Sequence, residues 1–155
     1  IERAVGELDR VIRDLRNYIF GLRPGVLADR QVGDALRSLA DEFQDTSGVV
    51  TIVEIDEEAA SELSTIAGDL VQVTREALSN VGRHARATTC RVSLYRRDGY
   101  AILEVEDDGV GFDPMTVRRG DGLRNLEERS AALGGKTSID SVPAKGTTVR
   151  IELSL

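Results

Sequence analysis

Apolar side chains recur along this chain at two spacings, and the switch between them marks out its elements. Val5, Leu8, Ile12, Leu15, Ile19 and Leu22 step by three and four residues, the narrow seam of a coiled-coil helix. Glu7, Asp9, Arg10, Arg13, Asp14 and Arg16 lie between them. This pattern suits an amphipathic helix packed on its own domain or the end of a dimerising helix. Leu22-Arg23-Pro24-Gly25 stops it, because proline disfavours helical geometry in the residue before it. Residues 30–45 repeat the helical spacing, with Val32, Ala35, Leu36, Leu39 and Phe43 on one side. A turn at Thr46-Ser47-Gly48 leads to a β-branched strand, Val49 to Ile55. The row Leu63, Ile66, Leu70, Val73, Ala77 and Val81 then predicts one long helix over 61–85.

From there the period falls to two. Strands are expected at Arg91–Arg96 and Tyr100–Asp107, with Asp98-Gly99 as the hairpin turn between them. A glycine-rich loop covers 108–122, and a short helix over 123–133 ends at Gly134-Gly135. Lys136–Val142 and Thr147–Leu153 form a second hairpin around Pro143-Ala144-Lys145-Gly146. This order predicts an α+β fold: a mixed, mostly antiparallel sheet with helices on one face. Neither Gly-x-Gly-x-x-Gly after a first strand nor Gly-x-x-x-x-Gly-Lys-Ser/Thr occurs, which excludes those two phosphate-binding mechanisms.

At 155 residues the chain has room for one domain with a real core. Its 27 acidic against 20 basic residues give a net charge of −7, which argues against non-specific nucleic-acid binding. The lone cysteine, Cys90, reads as a small residue at the start of a strand, with no disulfide framework. No apolar run approaches the ~18 residues that cross a bilayer. A chain starting at Ile1 is expected to be a cytoplasmic piece of a longer protein, itself soluble or membrane-anchored.

Four groups of residues carry candidate chemistry. Gln72, Glu76, Asn80 and His84 are spaced by four and share one helix face, which serves equally as a solvated face. An Asn80 carbonyl oxygen suits Mg²⁺ that phosphates also hold. Glu76 can orient a water or ligand of that ion, and Arg83 can meet a phosphate. In Asp107-Asp108-Gly109-Val110-Gly111-Phe112-Asp113, alternation puts Leu103, Val105 and Asp107 on the apolar face. A carboxylate there needs a partner, such as an adenine amino group, and Gly109 and Gly111 let backbone approach a flat base. A calcium loop is excluded because the bidentate Glu expected at its twelfth position is missing. Gly120-Asp121-Gly122-Leu123 precedes a helix whose first N–H groups make an anion site. Alternation also turns Thr147 toward the interior that Asp107 faces.

Taken in order, Glu76 and Asn80, Asp107-x-Gly109-x-Gly111, Gly120-x-Gly122-Leu123 and Gly146-Thr147 resemble the N box, glycine boxes and closing Gly-Thr of the ATPase superfamily that includes gyrase, MutL and histidine kinases. Arg75–Ala85, Gly122–Gly135 and Leu22-Arg23-Pro24 are similar to sensor kinases of the NarX and DesK type, which include the heme-sensing dormancy kinases of actinobacteria. The resemblance implies a two-layer α/β sandwich of the Bergerat type, with residues 1–23 as the end of a dimerisation and phosphoacceptor helix plus linker, and 24–155 as the ATP-binding catalytic domain. It implies ATP and Mg²⁺ as cofactors. Asn80 would ligate the metal with Glu76 assisting, both counted as catalytic. Asp107 would accept from adenine, Gly109 and Gly111 would line the base, and Gly120, Gly122 and Leu123 would lie at the phosphates. Thr147 would support the Asp107 end, and Arg83 and His84 would stand beside the nucleotide.

The implied partners are histidine-bearing dimerisation helices of the same protein, a response regulator and a second copy in a full-length homodimer. Nucleic acid is not among them. His84, the sole histidine, lies in the nucleotide-site helix, whereas the family's acceptor histidine lies on an earlier helix. Two departures stand out: Asp121 occupies a position that is often histidine, and the lid from Phe112 to Arg119 is short, with Arg118 and Arg119 as its cations. Rival expectations are an ATP hydrolase or serine-directed kinase of the same superfamily, or a degenerate docking module.

Overall fold

The computed structural model describes residues 32–113 and 121–155, with His84, Ala85, Asp121 and Gly122 placed by backbone alone. The expectations for 1–23, the stop at Pro24, Gly120 and the lid cations Arg118 and Arg119 lie outside the described residues.

Helix α1, Val32–Ser47, buries Val32, Ala35, Leu36 and Leu39, with Phe43 packed partly against the same core. It runs two residues past its expected end. The hydroxyls of Thr46 and Ser47 bond back to the Glu42 and Phe43 carbonyls, at 3.0 and 2.6 Å, so residues that favour turns elsewhere extend the helix here. Strand β1 is Val50–Ile55.

The long helix expected over 61–85 is several pieces. The Asp56 carboxylate accepts from the Glu58 and Ala59 N–H groups and starts helix α2, Glu57–Glu62. A 3₁₀ turn, Ser64–Ile66, separates it from α3, Ala67–Asn80, and a π-helical turn, Val81–Ala85, follows. The break falls where Leu63 N–H bonds to Ala60 and Ile66 N–H to Leu63, three-residue steps that bend the chain. Ala59, Ala60, Leu63, Ala67 and Leu70 all remain buried in one core across the bend. The apolar period therefore continues while the axis does not.

Strands β2, Thr89–Arg97, and β3, Tyr100–Asp107, form the first hairpin. Its turn residues Asp98 and Gly99 both have positive φ, the combination whose twist suits a two-residue hairpin. Helix α4, Asp121–Ala132, and strands β4, Lys136–Ser141, and β5, Thr147–Ser154, complete the chain. The sheet order is β1-β2-β3-β5-β4. β1 and β2 are parallel, joined by the α2–α3 crossover, and the other pairs are antiparallel. One sheet face carries Val92, Leu94, Leu103, Val105, Val149, Ile151 and Leu153 against Leu36, Leu70, Val73, Ala77 and Leu126 of the helices. On the other face Arg150 bonds Glu104 at 2.7 Å. This is the expected two-layer arrangement, with a mixed, mostly antiparallel sheet.

Candidate functional site

The polar exceptions to that apolar layer gather at one end of the sheet. Asp107 closes β3 and is paired in register with Cys90 of β2 on one side and Thr147 of β5 on the other. It is 6% exposed. Its carboxylate accepts the Gly109 N–H at 2.8 Å. Burial pushes its pKa up, the Gly109 and Thr147 backbone N–H groups pull it down, and the neighbouring Asp108 and Glu106 push it up further. The result is a desolvated acceptor on the inner face.

Asp108 does different work. It accepts from the Thr88 and Thr89 backbone N–H groups, at 2.8 and 3.0 Å, and from both their hydroxyls at 2.7 Å. Those four bonds hold its carboxyl below the usual range. They also pin the segment leaving α3 to the end of β3. The C-terminal end of α3 is thereby brought to the same end of the sheet as Asp107.

The glycines at this end have intramolecular reasons to be glycine. A Cβ on Gly146, at φ 88°, would overlap the Asp107 carbonyl, and one on Gly111, at φ 62°, would overlap the Val142 carbonyl. The loop after β3 and the β4–β5 turn are thus in backbone contact, and Ala144 N–H bonds the Val110 carbonyl at 2.6 Å. Ser141 completes the join. Its Oγ accepts the Phe112 N–H at 2.8 Å and lies 3.2 Å from the Gly146 carbonyl and 2.8 Å from Thr147 Oγ1. Sequence reasoning missed Ser141, although the alternation Thr137, Ile139, Ser141 places it on the inner face.

On α3, Glu76 is paired with Arg83 at 3.8 Å, so the arginine expected at a phosphate lies on this carboxylate. Gln72 accepts from Arg129 of α4 at 2.7 Å, which ties the two helices together. Asn80, at the last turn, has a buried amide nitrogen with no hydrogen-bond partner among the described residues. Such a donor is costly to leave unpaired. Leu123 is half-buried in the first turn of α4, and Gly122 lies in the same turn. The side chain of His84 and all of Gly120 lie outside the described residues.

A family model described as histidine kinase-, DNA gyrase B-, and HSP90-like ATPase matches residues 65–155. The chain belongs to that family. Among curated relatives, the sensor histidine kinase MctS of Rhizobium johnstonii is 36% identical over 157 residues, covering 96% of this chain and 33% of its own length. The sensor protein VraS of Staphylococcus saprophyticus is 28% identical over 160 residues, covering 100% of this chain and 46% of its own. The chain thus spans a third to a half of the curated relatives it matches. In fold, it is similar to the blue-light activated histidine kinase of Erythrobacter litoralis, with a TM-score of 0.77, 20% identity, and coverage of 97% of this chain and 50% of that one. A mycobacterial sensor histidine kinase, MprB, has a TM-score of 0.60 at 18% identity, covering 81% of this chain and 95% of that one.

The residues present fit what this ATPase family handles. The orphaned Asn80 amide has a donor for a phosphate oxygen and a carbonyl for a hard cation. No group of three His, Cys, Asp or Glu side chains could hold a metal among the described residues. An Mg²⁺ here would therefore depend on oxygens from a phosphate ligand, as that ion commonly does. No described helix is long and apolar enough to cross a membrane.

Proposed function

We propose that this chain is the cytoplasmic catalytic domain of a sensor kinase, holding Mg-ATP so that its γ-phosphate passes to a histidine on dimerisation helices of the same protein, and from there to a response-regulator aspartate. The observation that carries the reading is the Asp107 pair. A desolvated carboxylate with a hydroxyl across the strand gap is suited to a base edge rich in N–H donors. The unpaired Asn80 amide at the same end of the sheet suits the phosphate side, and the family match supports both.

In the proposed reaction, bound Mg²⁺ supplies charge neutralisation of the phosphates. Asn80 would hold it, Glu76 would orient a water or ligand of the ion, and Gly120, Gly122 and Leu123 would lie at the phosphates. Asp107 accepts from the adenine amino group, beside a base lined by Gly109 and Gly111. The work of these residues is positioning and charge neutralisation, which is most of what phosphoryl transfer asks of a protein. His84 is beside the nucleotide and is not the acceptor. Residues 1–23 serve as the last part of the dimerisation helix, and the active species is a homodimer.

The test uses radiolabelled ATP with Mg²⁺. The 155-residue chain is expected to bind nucleotide without labelling itself, and to label histidine when joined to, or mixed with, histidine-bearing dimerisation helices. Strong self-labelling of the chain alone would overturn the assignment of the acceptor.

A further inference from the structure

We propose that Ser141 is a positioning residue for base selectivity: it fixes the Thr147 hydroxyl as an acceptor toward the space in front of Asp107, so that the site favours a 6-amino purine over a 6-oxo purine. The inference rests on the reading that Asp107 meets the base.

Proton counting carries it. Ser141 Oγ has one proton to give and two lone pairs. It stands within hydrogen-bond distance of three groups. The Phe112 N–H can only donate, and it does so at 2.8 Å. The Gly146 carbonyl can only accept, so the contact at 3.2 Å requires the Ser141 proton. The third contact, 2.8 Å to Thr147 Oγ1, can run in either direction when taken alone. With the Ser141 proton committed to Gly146, it must run from Thr147 to Ser141. A single proton arrangement satisfies all three contacts at once. Ser141 is 9% exposed, so water competes poorly for these bonds.

The consequence reaches the site. Once Thr147 gives its only hydroxyl proton to Ser141, Oγ1 faces outward with lone pairs. Thr147 and Asp107 are directly paired across β3 and β5, where facing side chains stand about 5 Å apart. Two acceptors therefore look toward one point. An exocyclic amino group brings two N–H donors to that point. A 6-oxo group brings lone pairs and meets both acceptors unfavourably. Without the Ser141 hydroxyl, Thr147 is free to turn its proton outward and donate to an oxo group.

The experiment is calorimetry of the full 155-residue chain with ADP and with inosine diphosphate, each with Mg²⁺. These two ligands differ only at the purine 6-position and its tautomer. Wild-type protein is expected to prefer ADP. Ser141→Ala, shown to be folded by its melting transition, is expected to reduce that preference about fivefold, the size of one hydrogen bond. Ser141→Thr, which keeps the hydroxyl, is expected to restore it. An equal weakening of both ligands in Ser141→Ala would mean a merely structural serine and would overturn the proposal, as would an unchanged preference. If the alanine variant does not fold, Ser141→Cys carries the same test, because a thiol is a poor acceptor and donor.

Asp107→Asn separates this proposal from the reading beneath it. If that variant keeps wild-type ADP affinity and preference, the base does not lie at Asp107 and both ideas fall. If it loses the preference while Ser141→Ala keeps it, the base site stands and only the role of Ser141 fails.

Discussion

Asp108 on the loop after β3 receives four hydrogen bonds from two consecutive threonines, Thr88 and Thr89, twenty and nineteen residues earlier in the chain. It is the neighbour of Asp107 in sequence, yet the two carboxylates are set apart in chemistry. Asp107 is buried and harder to ionise. Asp108 is exposed to solvent and held ionised by its donors. The clamp leaves Asp107 facing the interior with acceptor capacity to spare.

The first prediction concerns that clamp. The folded pKa of Asp108 is depressed, so its contribution to stability is present above the unfolded carboxylate value near pH 4 and fades as pH falls through the folded value. Asp108→Asn is expected to lower the melting temperature at pH 7, and the gap from wild type should narrow below about pH 4. Melts from pH 7 to pH 3 read the effect. A gap independent of pH would mean that the ionised form is not what matters.

Asp107 has the opposite sign. Its folded pKa is raised, so ionisation works against the fold; that cost is present above the folded pKa and is relieved as pH falls through it. Asp107→Asn is expected to leave the melting temperature at pH 7 within a few degrees of wild type, and wild type should gain on the variant as the solution is acidified. In the same variant, Mg-ATP affinity is expected to fall by about tenfold or more, the scale of a hydrogen bond to a charged group. Calorimetry and thermal melts on one sample separate the two. A stability loss that tracks the binding loss would assign Asp107 a structural role instead.

Much of this candidate site is legible in the sequence, because a strand has a strict period of two. Counting forward from Leu103 and Val105 puts Asp107 indoors, and counting back from Ile151 and Val149 does the same for Thr147. The register confirms that they face each other. The same count through Thr137 and Ile139 reaches Ser141, whose inward place is therefore legible from position alone. The broken helix was harder to see. Leu63 and Ile66 keep the apolar spacing through the 3₁₀ turn, and only Asp56 ahead of Glu57 and Glu58 signals the separate start of α2. The contacts of Gly111 and Gly146 join the loop after β3 to the β4–β5 turn. No local pattern contains them. Asp108 was invisible for the same reason, since its donors lie on the far side of the first hairpin.

The backbone contact at Gly146 gives the third prediction. A side chain there must adopt φ near 88° and must also push away the Asp107 carbonyl. The strained dihedral alone costs about 1–3 kcal/mol, and the overlap adds to it. Gly146→Ala is therefore expected to lower the melting temperature by about 5 °C or more, using ~2–4 °C per kcal/mol for a chain of this size. It should also disturb Asp107 directly, so nucleotide affinity falls even in protein that remains folded. Unchanged melting and binding in Gly146→Ala would show that the turn has room the structure denies it.

The last prediction uses the other strand neighbour of Asp107. Cys90 is 2% exposed and paired in register with that carboxylate. Burial raises its thiol pKa to about 12, with the charges of Asp107, Asp108 and Glu106 adding to the effect. Thiol reagents attack the thiolate, and at pH 8 the folded chain holds almost none. Reaction of native protein with an aromatic disulfide reagent is expected to be at least about a hundredfold slower than reaction of the chain unfolded in guanidinium. Asp107→Asn removes one of the charges but leaves the burial, which is the larger cause. Labelling of that variant should therefore stay slow while nucleotide binding is weakened. Rapid labelling of the folded variant would mean that Asp107, rather than the surrounding apolar layer, closes this end of the sheet to solvent.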